Sequence, residues 1–287
     1  MSVINTNVSA TLTQNAITKN ERAMSSAMEQ LSTGKRINSA SDDAAGLAIA
    51  SRMTAQIEGL SQAVRNANDA ISLIQTADGA LTEVTSMLQR MRQLAVQAAS
   101  DTNSTADRTA LNTEFGLLRT EIDRIADNTQ WNGENVLDGS AGSMGALDFA
   151  VGANADQTIS ITIKNFSSDG TVASATASAS NVTDDISASA ITSVTFANAA
   201  ITALDTAIDQ VNSERATLGA TVNQLQYASD NLLNVKSNAE ASRSRIEDTD
   251  YAEATTELAR TQIIQQAATA MLAQANQIPQ TVLALLK

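Results

Sequence analysis

The chain has 287 residues, with 31 acidic and 18 basic side chains and a formal net charge of −13 at pH 7. This balance argues against a nucleic-acid partner, because phosphate backbones are bound by clustered Lys and Arg. The sequence contains no Cys and no His, which excludes a thiolate nucleophile, an imidazole base, the usual zinc sites and a disulfide framework. We also expect no membrane insertion, because no apolar run approaches the roughly 20 residues of a membrane span, and no cleavable signal peptide, because "MSVINTNVSATLTQ" lacks a basic n-region and an apolar h-region.

Residues 1–38 carry only sparse apolar positions, and Gly34 in "LSTGKRINSA" is the predicted C-cap of a first helix. An apolar stripe with steps of three and four residues then predicts a long helix over about 43–99. Ser39 or Ser41 is its predicted N-cap. Asp42 and Asp43 are placed in its first turn, where carboxylates interact favourably with the helix dipole.

A second rod helix is predicted after the polar segment "SDTNSTAD". Ser104 and Asp107 have the spacing of a capping box. An apolar stripe follows from Leu111 to Ile125, and "NTQWNGENVLDGS" ends the helix with turn residues.

The middle of the chain has a different pattern. Two β-like runs in "LDFAVGANADQTISITIKNF" flank a turn region, and Ile159, Ile161 and Ile163 alternate with polar residues. We predict a β-hairpin here. Residues 166–195 are rich in Ser, Thr and Ala, and we predict a small, exposed insertion.

The helical stripe resumes at about residue 198, with Arg215 and Ser229 as polar interruptions. Asp250 and Glu253 have capping spacing, and a last helix is predicted over roughly 252–276, followed by an apolar tail that contains the single proline of the chain.

Each long helix carries a narrow stripe and has to pack on another helix, so the C-terminal half is predicted to fold back along the N-terminal half. The predicted fold is mainly α: a long antiparallel coiled-coil-like helical rod with a small central β-hairpin region. The rod comprises 39–165 plus 196–249, the terminal helices comprise 1–38 plus 250–287, and 166–195 is the insertion.

The apolar tail raises the question of what covers it. Burying Val282, Leu283, Leu285 and Leu286 returns less free energy than ordering the last ten residues costs. We therefore predict that both termini are disordered in the monomer and become ordered when neighbouring copies cover them.

Two long segments resemble the conserved ends of bacterial flagellins. "VINTNVSATLTQNAITKNERAMSSAMEQLSTGKRINSASDDAAGLAIASRMTAQIEGLSQAVRNANDAISLIQTADGALTEV" resembles their N-terminal half, and "SRSRIEDTDYAEATTELARTQIIQQAATAMLAQANQIPQTVLALLK" resembles their C-terminal end. The likeness covers about 1–165 and 198–287. It implies a structural subunit, exported unfolded by the flagellar type III apparatus, that polymerises into the helical filament used for motility.

The resemblance also implies an architecture. The terminal helices would form an inner tube, the D0-like layer, and the rod with its hairpin would form the D1-like layer around it. The insertion would be a vestigial outer domain. Subunit contacts of the inner tube are then expected at the apolar positions of the two terminal helices: Leu12, Ile17, Met24, Met28, Leu31, Leu258, Ile264, Met271, Leu283, Leu285 and Leu286.

The partners implied are identical subunits, the flagellar export chaperone, and the hook-associated and cap proteins. The implied location is the extracellular flagellar filament, and no cofactor or enzymatic activity is expected. The alternative within the same family is the hook–filament junction protein, but the match to "RIEDTDYA" and "QANQIPQ" favours flagellin. An enzyme that uses carboxylates alone and a chemoreceptor-like signalling hairpin are weaker alternatives.

Two further sites are carried over from the family. The motif recognised by the innate immune receptor for flagellin, Toll-like receptor 5, corresponds to "QRMRQLAV" and a residue of the next helix, which gives Gln89, Arg90, Leu94 and Glu114. Leu94 is expected to be partly exposed, and the alternative is that these residues form a subunit contact. O-glycosylation, as in some flagellins, has candidates at Ser168, Thr171, Ser174, Thr176, Ser178 and Ser180, against the alternative of an unmodified polar loop.

Overall fold

A computed structural model describes residues 7–142, 145–166 and 190–285, with side chains described as far as residue 277. Within these ranges no helix is both long and apolar enough to cross a bilayer. The helices are α1 (Val8–Thr33), α2 (Ala44–Ala98), α3 (Thr105–Asn128), α4 (Val194–Glu247) and α5 (Tyr251–Leu285); the strands are β1 (Gln130–Trp131), β2 (Glu134–Asn135), β3 (Ala146–Ala150) and β4 (Thr158–Thr162).

The chain divides into two compact units. The terminal unit comprises 1–57 and 237–287, and the central unit comprises 58–236. The divisions fall within the ranges of α2 and α4 and not at the ends of the predicted terminal segments. The bounds of the two predicted layers therefore stay a prediction: 1–38 plus 250–287 for one, and 39–165 plus 196–249 for the other.

The core of the central unit lies between α2 and α4, which run antiparallel. Arg92 Nε on α2 donates to Asp205 Oδ1 on α4 at 2.5 Å, while further towards the start of α2 Asp78 accepts from Arg215 at 2.7 Å. The predicted stripes on both helices are buried, and Leu81, Val84 and Leu88 of α2 and Leu204, Val211 and Leu218 of α4 are fully inaccessible. The predicted folding back of the chain is confirmed.

Helix α3 closes one side of this core with Phe115 and Ile122. Its predicted capping box is present: Asp107 N donates to Ser104 Oγ at 3.2 Å, and Ser104 N donates to Asp107 Oδ2 at 2.9 Å. The segment after α3 was predicted only as a turn, but it forms a short hairpin. Asn132 and Gly133 have φ values of 51° and 85°, which is the conformation that a two-residue turn between twisted strands requires.

Strands β3 and β4 form the predicted hairpin. They pair antiparallel, with Leu147 opposite Ile161 and Phe149 opposite Ile159. Ile161 and Ile163 are buried in the central core. The strict alternation in the sequence therefore identified the buried face of this hairpin correctly.

The predicted start of α2 is wrong in detail. Neither Ser39 nor Ser41 is the N-cap; Asp43 is, because Gly46 N donates to Asp43 Oδ1 at 2.8 Å. Asp42 and Asp43 precede the helix. Asp42 accepts hydrogen bonds from the backbone N–H groups of Ser39 and Asn38, and these bonds lower the pKa of the Asp42 carboxyl. The preceding loop is organised around Asp42, which leaves its neighbour to cap the helix.

Two other helix boundaries also differ from the prediction. Helix α4 begins at Val194, ahead of the predicted 198. Helix α5 continues to Leu285 and so includes Pro279, whereas the sequence predicted an end near 276. A proline inside a helix removes one backbone hydrogen bond.

Glu214 on α4 is a buried acid within the central unit. It is 4% exposed, and its Oε1 has no hydrogen-bond partner among the described residues. Lys164 Nζ lies 3.8 Å from Oε2. Burial raises the pKa of Glu214 in spite of this cation, because desolvation disfavours the charged carboxylate.

We expect Glu214→Gln to stabilise the central unit by roughly 1 kcal/mol near neutral pH. In the unfolded chain Glu214 ionises at its ordinary pKa of about 4.3. The raised pKa in the folded state means that its contribution to stability falls as pH rises from that value through the folded pKa. Calorimetric unfolding of both proteins at about pH 4 and pH 7.5 tests this. Glu83→Gln, at an exposed position, is the control, and equal pH dependence in all three proteins would contradict the expectation.

Candidate functional site

Helices α1 and α5, called here the terminal pair, lie antiparallel and are joined by polar side chains. Asn20 Nδ2 on α1 donates to Thr261 O on α5 at 2.8 Å and to Gln265 Oε1 at 3.1 Å. Gln265 Nε2 donates back to Glu21 Oε1 at 3.1 Å. Asn20 and Thr261 are buried, at 8% and 1% exposure, so these bonds lie in the seam between the two helices.

No large apolar side chain of the terminal pair is fully buried among the described residues. Among the described side chains of α1 and α5, the buried ones are all small or polar: Asn20, Ala27, Ala254, Thr261 and Ala275. The hydrophobic effect scales with the apolar area removed from water, and an alanine removes little. Hydrogen bonds contribute only about 1 kcal/mol each in net terms. The seam therefore specifies how the helices lie together but stabilises them weakly.

Several large apolar side chains of the terminal pair are exposed. Leu12 is 71% exposed, Ile263 66% and Met271 62%. Of the residues predicted as subunit contacts, Leu12, Met28, Ile264 and Met271 are exposed, and Ile17, Met24, Leu31 and Leu258 are half-buried. Leu283, Leu285 and Leu286 lie outside the described side chains.

Charged side chains are absent from two long stretches near the ends of the sequence. No Asp, Glu, Lys or Arg occurs in 1–18 or in 261–286. A surface without charged groups can be covered by another protein surface without the desolvation penalty of buried ions. The exposed apolar side chains and the lack of charge together describe a surface suited to burial against other chains.

A joint connects α1 to the segment before α2 and lies against the start of α5. Gly34 has a φ of 72°, and its N–H donates to Gln30 O at 2.9 Å, which confirms it as the C-cap of α1. Arg36 N donates to Glu247 O at 2.7 Å, and Thr249 N donates to Gly34 O at 3.0 Å. A Cβ atom on Gly34 would lie 2.9 Å from the hydroxyl of the exposed Tyr251 side chain, which can move away; the positive φ is therefore what favours glycine at this position.

The structure brings most of the predicted receptor-recognition residues into one exposed patch on α2 and α3. Arg90 Nε and Nη2 donate to Glu114 Oε1 at 3.0 Å and 2.7 Å, and Arg90 Nη1 donates to Gln93 Oε1 at 3.4 Å. The Arg90 and Glu114 side chains are about half exposed, and Gln89 is exposed. Because the ion pair is solvated, it adds little to stability.

Leu94 does not belong to this patch. The sequence predicted partial exposure, which is wrong: Leu94 is 1% exposed and packs in the central core. It lies three residues after Met91 and four before Ala98, both of which are inaccessible, so it shares their face of α2. The candidate glycosylation positions, Ser168, Thr171, Ser174, Thr176, Ser178 and Ser180, lie outside the described residues.

Sequence reasoning also missed Asn20 as a seam residue, because only apolar positions were counted. The spacing of residues in the sequence nevertheless indicated its position. Asn20 follows Ile17 by three residues and precedes Met24 by four, so it occupies a position of the stripe with a polar side chain.

The chain matches the bacterial flagellin N-terminal helical region over residues 4–142 and the bacterial flagellin C-terminal helical region over residues 201–286. It is 47% identical to a flagellin of Halalkalibacterium halodurans, with 91% of each chain covered, and 41% identical to a flagellin of Bacillus subtilis, with 99% of each chain covered. The chain belongs to the bacterial flagellin family. Flagellin is a structural protein family, and this chain is a structural subunit that polymerises into the flagellar filament.

Two solved structures are also similar to this flagellin. The crystal structure of Bacillus cereus flagellin has 32% identity and a TM-score of 0.48, with 58% of this chain and 88% of that chain covered. FliC from Burkholderia pseudomallei has 27% identity and a TM-score of 0.43, with 54% and 99% covered. The family assignment rests on the sequence matches, whose relatives are named flagellins; the hook–filament junction alternative is not favoured.

We expect Leu94→Ala to lower the free energy of unfolding of the central unit by about 2–5 kcal/mol, because it leaves a cavity in a packed core. Val96→Ala is the matched control: Val96 lies two residues away on α2 but is 49% exposed, so its truncation should change the free energy by about 0.5 kcal/mol or less. Urea denaturation followed by circular dichroism measures both. Equal losses for the two variants would contradict the burial of Leu94.

Proposed function

We propose that the terminal pair forms the innermost layer of the filament and becomes stably ordered only when neighbouring copies cover its outward apolar faces. The observation that carries this proposal is the inverted distribution of side chains in the pair. Ala, Asn and Thr lie in the seam, while Leu12, Ile263 and Met271 face outwards.

The energetics of the pair support coupling between order and assembly. Isolated helices are marginal in water, and most helical stability in proteins comes from packing of an apolar face. Here the fully buried side chains are small or polar and the larger apolar ones are half-buried or exposed, whereas ordering the backbone costs about 1–2 kcal/mol per residue. A neighbouring copy that covers the exposed leucine, isoleucine and methionine side chains supplies the missing apolar burial.

The low stability of the pairing between α1 and α5 is compatible with export of the chain in an unfolded state. We propose that the subunit is exported unfolded by the flagellar type III apparatus, that the export chaperone holds its C-terminal segment beforehand, and that hook-associated and cap proteins are its partners outside the cell. The absence of Cys is compatible with passage as an unfolded chain, because no cross-link can form on the way. We assign it no catalytic role and no cofactor.

Hydrogen–deuterium exchange of the wild-type chain tests the proposal. In dilute monomer, amides of α1 and of α5 up to residue 277 should exchange rapidly, while buried amides of α2 and α4 are protected. In seeded filaments the terminal amides should be slowed on the order of 100-fold or more. Strong protection of both termini in the dilute monomer would overturn the proposal.

A matched pair of variants links this ordering to the outward faces. Leu12→Asp places a charge in an uncharged segment and should stop seeded growth, whereas Leu12→Met keeps an apolar side chain and should support it. Both variants should leave the unfolding of the central unit unchanged.

We further propose that the exposed patch formed by Gln89, Arg90 and Glu114 is the surface that Toll-like receptor 5 recognises on the monomer. What favours this is the pre-organised guanidinium of Arg90, which Glu114 holds in place at the surface. A fixed arginine fork loses less conformational entropy on binding than a mobile one. Leu94 has no direct part in this proposal, because it is buried.

We expect Arg90→Ala to reduce the potency of the monomer in receptor-expressing reporter cells by about tenfold or more, which corresponds to about 1.4 kcal/mol of binding free energy. Arg65→Ala is the control, since Arg65 is an exposed arginine elsewhere on α2. Unchanged potency for Arg90→Ala, or an equal loss for Arg65→Ala, would remove the support for recognition at this patch.

A further inference from the structure

Pro279 lies within α5 and is the single proline of the chain. In a regular α-helix the N–H of residue 279 would donate to the carbonyl of residue 275. Proline has no N–H and so cannot donate this bond. The carbonyl of Ala275 therefore loses its normal helical donor, although Ala275 is only 7% exposed. A buried backbone carbonyl without a donor is costly, so its partner has to come from elsewhere.

Asn7 supplies that partner. Its Nδ2 donates to Ala275 O at 2.9 Å. The other end of the same amide is also used, because Asn7 Oδ1 accepts from Ala10 N at 3.0 Å and so caps the first turn of α1. One side chain thus begins α1 and, at the same time, completes the hydrogen bonding of α5 where the proline interrupts it.

We propose that Asn7 is a register-setting residue, which fixes the alignment of α1 along α5 by donating to the carbonyl that Pro279 leaves without a helical donor. A single proline creates a single such carbonyl, so no other turn of α5 offers the same partner. Asn20, thirteen residues further along α1, donates to Thr261 O, fourteen residues back along α5. The side chains of Asn7 and Asn20 therefore define the antiparallel alignment of α1 and α5 at two positions.

Register matters because it determines which surface the terminal pair presents. A shift of one helical residue rotates the side chains by about 100° around the axis. Such a shift would turn Leu12 and Met271 away from their present outward positions. Since the proposed function requires neighbouring copies to cover these side chains, the inference rests on it: Asn7 would act on assembly by keeping the apolar faces in place.

The test is a double-mutant cycle in the full-length chain, read as the critical concentration for seeded filament growth. Asn7→Ser keeps a neutral oxygen for the cap on α1 but is too short to donate to Ala275 O, and it should raise the critical concentration about tenfold, equivalent to about 1.4 kcal/mol. Pro279→Ala restores a backbone N–H to residue 279. In that background Asn7→Ser should raise the critical concentration by no more than about twofold, because the carbonyl again has its helical donor.

Equal effects of Asn7→Ser in both backgrounds, or no effect in either, would overturn the inference. If Pro279→Ala does not polymerise, Pro279→Ser supplies the same N–H and completes the cycle. Hydrogen exchange in filaments separates this inference from the proposed function. Wild-type termini that stay unprotected in filaments contradict the proposed function, whereas protected termini that are identical in wild type and Asn7→Ser contradict only the role of Asn7.

Discussion

Long helices with narrow apolar stripes impose the pairing that organises this flagellin. Helices α2 and α4 pair through a well-packed apolar core. Leucine, valine and methionine side chains lie between them, and ion pairs such as Arg92–Asp205 lie beside this core. Helices α1 and α5 obey the same geometry with other side chains, because alanine, asparagine and threonine occupy their seam. The central unit therefore buries its large apolar groups within one chain, whereas several large apolar groups of the terminal pair remain exposed in the single chain.

The sequence allowed most of this fold to be predicted. The stripes of α2 and α4, the capping box at Ser104 and the alternation through Ile159 and Ile161 all reflect local periodicities that tertiary packing preserves. The start of α2 was less predictable. Several residues before it are able to cap a helix, and which of them does so depends on how Asp42 binds the preceding loop.

The candidate sites were predicted less completely. The Arg90–Glu114 pair joins residues of two helices, and the sequence reached it only through a family motif. Leu94 was misplaced because a shift of one residue in the apolar stripe decides between core and surface, and the sequence pattern does not show which residues the core buries. The role of Asn7 depends on Ala275 and Pro279 at the other end of the chain, a relation that no local pattern contains.

The small hairpin after α3 has one further consequence. Trp131 is the single tryptophan of the chain, and it lies in β1, half-buried against the central core. Its fluorescence therefore reports on the packing of the central unit, whereas the terminal pair contains no indole. Tryptophan emission thus follows the central unit alone, whereas helix content follows both units, so a change in helix content without a change in tryptophan emission reports on the terminal pair as filaments form or dissociate.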